Sequence, residues 1–189
     1  MSPEPKKLFL CFQEIVYYVM TELLRNKVAE SGIITLDLEQ FYPDVLSVVE
    51  LDIKQFLFRE LILKEIDFRN ALKAYDWSMY KDKTVAVYCS TDAIIPQWAY
   101  MLVATYLQPV AASFHFGNAE KVAYDLFLHQ IKQLDVTPYQ EERLVIKGCG
   151  TKQLTGEAYL EITKKLQPVV KSLMFGEPCS TVPVYKRKA

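Results

Sequence analysis

The sequence predicts an α/β protein with a doubly wound, mostly parallel sheet and flanking helices. Three short apolar runs, each followed by a stretch with helical spacing, support this class; they cover residues 84–89, 110–116 and 143–147. The first run is rich in β-branched residues, which is typical of a strand buried on both faces of a parallel sheet. Right-handed helical crossovers join such strands. We expect a single α/β domain over residues 20–189.

The first half of the chain predicts an N-terminal helix/strand cover for this sheet. Residues 33–38 alternate apolar and polar side chains, as a strand does. Residues 56–75 have the apolar spacing of a helix. Residues 47–53 fit either a strand or the start of a helix, because the period of their apolar residues does not distinguish the two.

The helices of the second half have recognisable ends. We expect them over residues 96–107, 118–134 and 155–176. Asn118 is a good N-cap residue, since its side chain can accept from the first free N–H groups of a helix. In the last helix, Pro168 predicts a kink and Gly176 a C-terminal stop.

Residues 1–19 form a doubtful N-terminal extension. Their apolar run, residues 8–19, is shorter than the roughly 20 residues that span a bilayer, and no small-x-small cleavage site follows it. We expect a helix to begin at Thr21. Either Met20 is the natural start, or residues 1–19 extend this helix. The expected protein is soluble and cytoplasmic, with no membrane partner.

Charge argues against nucleic acid as a partner. The 189 residues carry a formal net charge of −1, so there is no global basic field. Residues 30–80 hold ten acidic and five basic side chains, whereas residues 141–189 hold five acidic and nine basic ones. Such a split more often reflects two faces that pack together or dimerise than a specific ligand. A small anion bound near the C-terminal region is a second interpretation.

The four cysteines predict the candidate site. They contain no C-x-x-C pair, and their spacing does not fit a secreted disulfide framework, so we expect reduced thiols. Cys89 ends the first predicted strand and Cys149 follows the third. In open α/β sheets, ligands bind beyond the carboxyl ends of the strands. With the common strand order 2-1-3, these two strands are neighbours and their thiols lie close together.

Cys179 is predicted to complete a three-cysteine site. The triplet Cys-Ser-Thr occurs at residues 89–91 and again at 179–181, and Gly148 and Gly150 flank Cys149. We expect the C-terminal tail to fold back and place Cys179 beside the other two thiols. The residues expected to surround the thiols or a bound anion are Ser90, Thr91, Asp92, Gly148, Gly150, Ser180, Lys186 and Arg187. Each cysteine alone is more often a core residue, and Cys11 is expected to play no part.

Three stretches resemble an uncharacterised bacterial family, the domain of unknown function numbered 2480. They are residues 90–100 (Ser-Thr-Asp-Ala-Ile-Ile-Pro-Gln-Trp-Ala-Tyr), 146–150 (Ile-Lys-Gly-Cys-Gly) and 171–183, which contains Phe-Gly-Glu-Pro-Cys-Ser-Thr. The resemblance covers about Glu22 to Lys188. It implies no catalytic residue, because the family has no established activity. It does imply protein partners in iron–sulfur assembly, since members tend to be encoded beside such factors.

These observations lead to two principal hypotheses. The first is a metal or iron–sulfur binding protein, a possible accessory factor in cluster assembly, in which Cys89, Cys149 and Cys179 bind a cluster or zinc and leave one coordination position open. The alternative is a metal-free protein-interaction module with acidic and basic faces. A third hypothesis makes Cys149 a nucleophile in a Gly-Cys-Gly loop. We expect His115 to lie in the sheet and His129 on the surface.

Overall fold

The computed structural model describes residues 32–147, 150–152, 154–177 and 180–188, and these form a mixed α/β fold. Its strands are β1 (Ile33–Leu36), β2 (Val48–Asp52), β3 (Thr84–Tyr88), β4 (Ser113–Phe116), β5 (Arg143–Ile146), β6 (Ser172–Glu177) and β7 (Ser180–Lys186). Its α-helices are α1 (Glu65–Ala74), α2 (Gln97–Leu107), α3 (Ala119–Gln133) and α4 (Gly156–Leu166). The predicted α/β class is confirmed. The extension over residues 1–19 lies outside the described residues.

The strands form two sheets. One has the order β2-β3-β4 and is parallel throughout; the other has the order β1-β5-β6-β7, in which only β7 is antiparallel to its neighbour. The chain divides into two compact units. The three-stranded unit carries β2–β4, α1–α3 and nearly all of α4, and the four-stranded unit carries the other sheet.

The predicted neighbourhood of β3 and β5 is wrong. β5 pairs with β1 on one side and with β6 on the other, so both of its edges are occupied. β3 is likewise enclosed by β2 and β4. β1 and β2 belong to the half of the chain that the sequence predicted as a cover. Instead, β1 pairs with β5 and β2 pairs with β3, so β3 and β5 lie in different sheets.

Helices cover both faces of the three-stranded sheet because its central strand is apolar on both. Val85 and Val87 pack with residues of α1 and α2 on one face. Ala86 points the other way and packs against Val122 and Ala123 of α3. The side chains of Val85, Ala86 and Val87 are all buried. This alternation follows from the two-residue period of a strand and confirms β3 as the buried strand of a doubly covered sheet.

Residues 56–75 form a helix only in their second half, α1. Asp52 caps a short 3-10 turn over Ile53–Phe56, and an antiparallel bridge then joins Phe58 to Ile62. Between them, Arg59 and Glu60 both adopt positive φ angles of 51° and 61°. Two successive left-handed residues cannot continue a right-handed helix, so the helix begins only at Glu65.

The predicted helix over residues 155–176 is too long. α4 ends at Leu166, two residues before Pro168, and the chain returns as β6 in parallel pairing with β5. Gly176 therefore lies inside β6 and does not stop a helix. Its φ is +121°, and a Cβ at this position would lie 2.6 Å from the Ser180 backbone oxygen. Glycine is required here by the close approach of β6 and β7.

We predict that Gly176→Ala lowers the free energy of unfolding by about 2 kcal/mol or more, because the methyl group meets backbone and the φ angle is unfavourable for alanine. Gly156→Ala is the matched control: a Cβ at this helical position has nothing within 4 Å. Chemical denaturation of both variants checks this. Equal stability of the two variants would contradict the close approach of Gly176 to the Ser180 backbone.

Candidate functional site

Asp52 links the loops that leave two strands of the three-stranded sheet. Its carboxylate Oδ1 accepts hydrogen bonds from the backbone N–H of Lys54 at 3.0 Å and from that of Ser90 at 3.1 Å. Burial opposes ionisation of Asp52, but the hydrogen bonds from Ser90 and Lys54 outweigh it and hold the pKa of Asp52 below its usual value. An ionised Asp52 therefore fixes the start of the loop after β3. No pattern in the sequence predicted this role.

Cys89 is the first residue after β3 and is half-buried against the apolar residues between the sheet and α1 and α2. Its Sγ lies 3.3 Å from the Thr91 hydroxyl oxygen. That hydroxyl donates to the backbone oxygen of Glu60 at 2.9 Å. Of the predicted neighbours of this thiol, Thr91 contacts it directly, Ser90 is fixed by Asp52, and Asp92 is exposed.

Glu50 is a polar residue of this sheet that sequence reasoning missed. Its carboxylate accepts from the Tyr88 hydroxyl at 3.1 Å and from the Ala119 backbone N–H at 2.8 Å. The neighbouring Asn118 side chain accepts from the Lys121 N–H at 2.9 Å, which confirms the predicted N-cap. The N-terminus of α3 is thus neutralised by side chains of the protein itself. Glu50 lies in the stretch whose secondary structure the sequence left open.

The carboxyl ends of β5 and β6 form the corresponding edge of the four-stranded sheet. Ile146 pairs with Phe175, and Glu177 pairs with Ser180 where β6 meets β7. Lys147, the next residue after β5, donates its backbone N–H to the Leu36 oxygen at 3.0 Å. Its ammonium group lies 2.7 Å from Asp37, so an ion pair joins the residues that follow β1 and β5.

Gly148, Cys149 and Cys179 lie outside the described residues. Around them, Gly150 and Ser180 are exposed, and Glu39 accepts hydrogen bonds from the Thr151 hydroxyl at 3.1 Å and from the Lys152 backbone N–H. Within the described ranges, no group of three His, Cys, Asp or Glu side chains could hold a metal ion. The three-cysteine site therefore stays a prediction.

Lys186 and Arg187 lie at the opposite end of the four-stranded sheet. Because β7 is antiparallel to β6, Lys186 pairs with Ser172, where β6 begins. Phe175, which pairs with Ile146 at the end of β5, is three residues further along β6 than Ser172, or about 10 Å along the strand. Arg187 pairs with Glu141 and donates to the Pro168 backbone oxygen at 3.0 Å. The site proposed below does not include these two basic residues.

The family relationship agrees with the resemblance in the sequence. The chain belongs to the family described as "Protein of unknown function (DUF2480)", and the match covers residues 22–187. No curated protein and no solved structure matches the chain. None of the helices in the described ranges has both the length and the apolar character needed to cross a membrane.

We predict that Asp52→Ala lowers the free energy of unfolding by about 1–2 kcal/mol at pH 7, because two backbone N–H groups lose their acceptor. The pKa of Asp52 is lowered by folding, so its ionised form stabilises the protein above the unfolded pKa of about 3.9. This stabilisation is lost as the pH falls through the folded pKa, and the difference between variant and wild type should shrink there.

Asp44→Ala is the control, since Asp44 caps a single local turn through the Leu46 N–H at 3.0 Å and joins no second strand. Denaturation from pH 7 to pH 2.5 measures both. A deficit in Asp52→Ala no larger than that of the control, or independent of pH, would contradict the role assigned to Asp52.

Proposed function

We propose that the protein binds a metal ion or an iron–sulfur cluster through cysteine thiolates, as an accessory factor in iron–sulfur assembly. The register of β5, β6 and β7 carries this proposal. Cys149 follows Lys147 by two residues, and Cys179 lies between the paired residues Glu177 and Ser180. The described residues flanking the two cysteines thus belong to the same edge of adjacent strands.

The spacing of these strands suits a shared ion. Adjacent strands lie about 4.8 Å apart, and two thiolates that bind one zinc ion at about 2.3 Å each have their sulfurs roughly 4 Å apart. Cys149 is three residues beyond Ile146, the end of β5, and only two residues separate Glu177 from Ser180 in the sequence, so little chain entropy opposes such an approach. The sequence adds Cys89 as a third thiolate, which the variants below test separately.

Glu177 supports a cation at this edge. Its Oε1 atom is buried and has no hydrogen-bond partner among the described residues. A buried polar group without a partner costs about 1–3 kcal/mol, and more when it is charged. A cation bound beside Glu177 would remove this cost, and a carboxylate oxygen is a normal zinc ligand beside thiolates. We therefore include Glu177 in the proposed site with Cys149 and Cys179.

The proposed site keeps a position open for exchange. Two thiolates and one carboxylate leave the fourth tetrahedral position for water, a third thiolate or a group from a partner protein, as transfer and catalytic sites require. Thiolates must stay reduced to bind, which fits a cytoplasmic protein.

A metal-free interaction module is the second candidate function, and exposed apolar side chains favour it. Leu46 is 90% exposed and Ile94 is 92% exposed. Single exposed apolar residues are common on proteins, so they support docking only if the metal measurements below are negative.

We predict that anaerobically purified protein contains about one metal site per chain by elemental analysis and ultraviolet–visible spectroscopy, because thiolates bind zinc and iron tightly. Cys149→Ser and Cys179→Ser should each reduce the metal content to background. Cys11→Ser is the control and should retain the wild-type content. Cys89→Ser decides whether the third thiolate belongs to the site. Wild-type protein without metal, or full loading of both variants, would contradict the proposed function.

We also predict that Glu177→Gln weakens zinc binding by about tenfold, since an amide oxygen replaces a charged ligand, without lowering the stability of the metal-free protein. The amide has nearly the same shape as the carboxyl group. Glu120→Gln, at an exposed carboxylate of α3, is the control. Competition with a chromophoric chelator measures affinity, and thermal unfolding of the apoprotein measures stability. Unchanged affinity would remove Glu177 from the site while leaving the cysteine proposal standing.

A further inference from the structure

A cavity of about 270 Å³ lies in the three-stranded unit, between α2 and the strands β3 and β4. Its walls are mostly apolar and come from Val87, Tyr100, Val103, Ala104, Leu107, Phe114, His115 and Phe116. It is larger than the roughly 150 Å³ cavity that accommodates benzene in a protein core. The free volume is therefore enough for more than one aromatic ring.

The cavity forms where a small helix residue faces the last strand of the sheet. Phe114 pairs with Val85 and Phe116 with Val87, so both rings lie on the face that α2 covers. On the helix, Ala104 offers only a methyl group to this space. β4 has β3 as its only strand neighbour in the described ranges.

An aromatic side chain at the cavity is left largely in solvent. Phe116 is 65% exposed although it contributes to the wall. Its ring packs edge to face against Tyr100, with the centroids 5.4 Å apart. A phenylalanine left so exposed forgoes most of the stabilisation that burial of its side chain provides. A molecule seated in the cavity would cover this ring.

Tyr100 is a half-buried wall residue whose side chain carries a hydroxyl group. His115 pairs with Ala86, whose side chain faces α3, so the register places the histidine ring on the other face of the sheet. Ligand pockets usually combine apolar walls with a few such polar groups.

We propose that this cavity is a binding site for a small aromatic molecule that carries one hydrogen-bonding group. The aromatic walls made by Phe114, Phe116 and Tyr100 contact the rings of the ligand through stacked and edge-to-face arrangements. The Tyr100 hydroxyl bonds the polar group of the ligand. This inference does not depend on the proposed metal site, because it uses none of the residues assigned to that site.

Titration of the full-length protein with 2-naphthol and naphthalene, followed by ¹³C-methyl NMR, tests the site. Saturable binding should shift the methyl signals of Val87, Val103, Ala104 and Leu107, with 2-naphthol binding more tightly. Tyr100→Phe should weaken 2-naphthol binding about fivefold, the loss of one hydrogen bond, and leave naphthalene binding unchanged. Absence of saturable binding, or shifts confined to other methyl groups, would overturn the proposal.

A cavity-filling variant gives a second test. Ala104→Phe should abolish binding of both probes and keep or raise the melting temperature, because its ring fills the cavity. Thr105→Phe is the control, since it adds the same ring at the next, exposed position of α2. If Ala104→Phe does not fold, Ala104→Leu replaces it, with an expected loss of affinity of at least tenfold. Wild-type affinity in the folded filling variant would overturn the proposal.

Discussion

Strands that pair in parallel end at the same edge of a sheet, and the polar chemistry of both units depends on this constraint. In the three-stranded sheet it lets Asp52, at the end of β2, bind the loop that leaves β3. In the four-stranded sheet it lets Lys147, after β5, bind Asp37, after β1. Both contacts join residues far apart in sequence, and each exists because the strands before them run in the same direction.

The two candidate sites use this constraint differently. The proposed thiolate site draws on the four-stranded sheet, in which β7 is antiparallel to β6 and Glu177 pairs with Ser180. The cavity lies against the other sheet, where β4 ends the strand order and a small residue of α2 faces it. One site is polar and suited to a cation, whereas the other is apolar and suited to an uncharged ring. Nothing in either set of contacts requires the other site to be filled.

Structural features that depend on a single helix or strand could be predicted from the sequence. The β-branched run of β3 and the capping side chain of Asn118 both have the predicted role. The end of α4 was not predictable in this way. Ala158, Ile162, Leu166 and Val170 are all buried and follow helical spacing, although the helix ends at Leu166. Long-range pairing of residues 172–175 with β5 decides the outcome, and no local period contains that information.

The same distinction applies to the candidate site. The sequence indicated that cysteines follow strands, but the choice of neighbouring strands depends on pairing between distant segments. β5 pairs with β6, which the sequence assigned to a helix, so Cys149 was matched with Cys89 through a wrong strand order. Glu177 was missed because a single carboxylate has no distinguishing pattern in a sequence. The reason to propose it is a buried Oε1 atom without a hydrogen-bond partner among the described residues, which only the fold reveals.

Thiol cross-linking tests the central claim, that the register of β5, β6 and β7 brings Cys149 and Cys179 together. With Cys11 and Cys89 replaced by serine, these two residues are the only thiols of the chain. A short bifunctional reagent such as dibromobimane, applied to the metal-free protein, reports their proximity by fluorescence and mass spectrometry. If Cys149 and Cys179 lie together, we expect much faster intramolecular cross-linking in the native protein than in urea, and protection by added zinc. Equal rates in the native and unfolded states would contradict it.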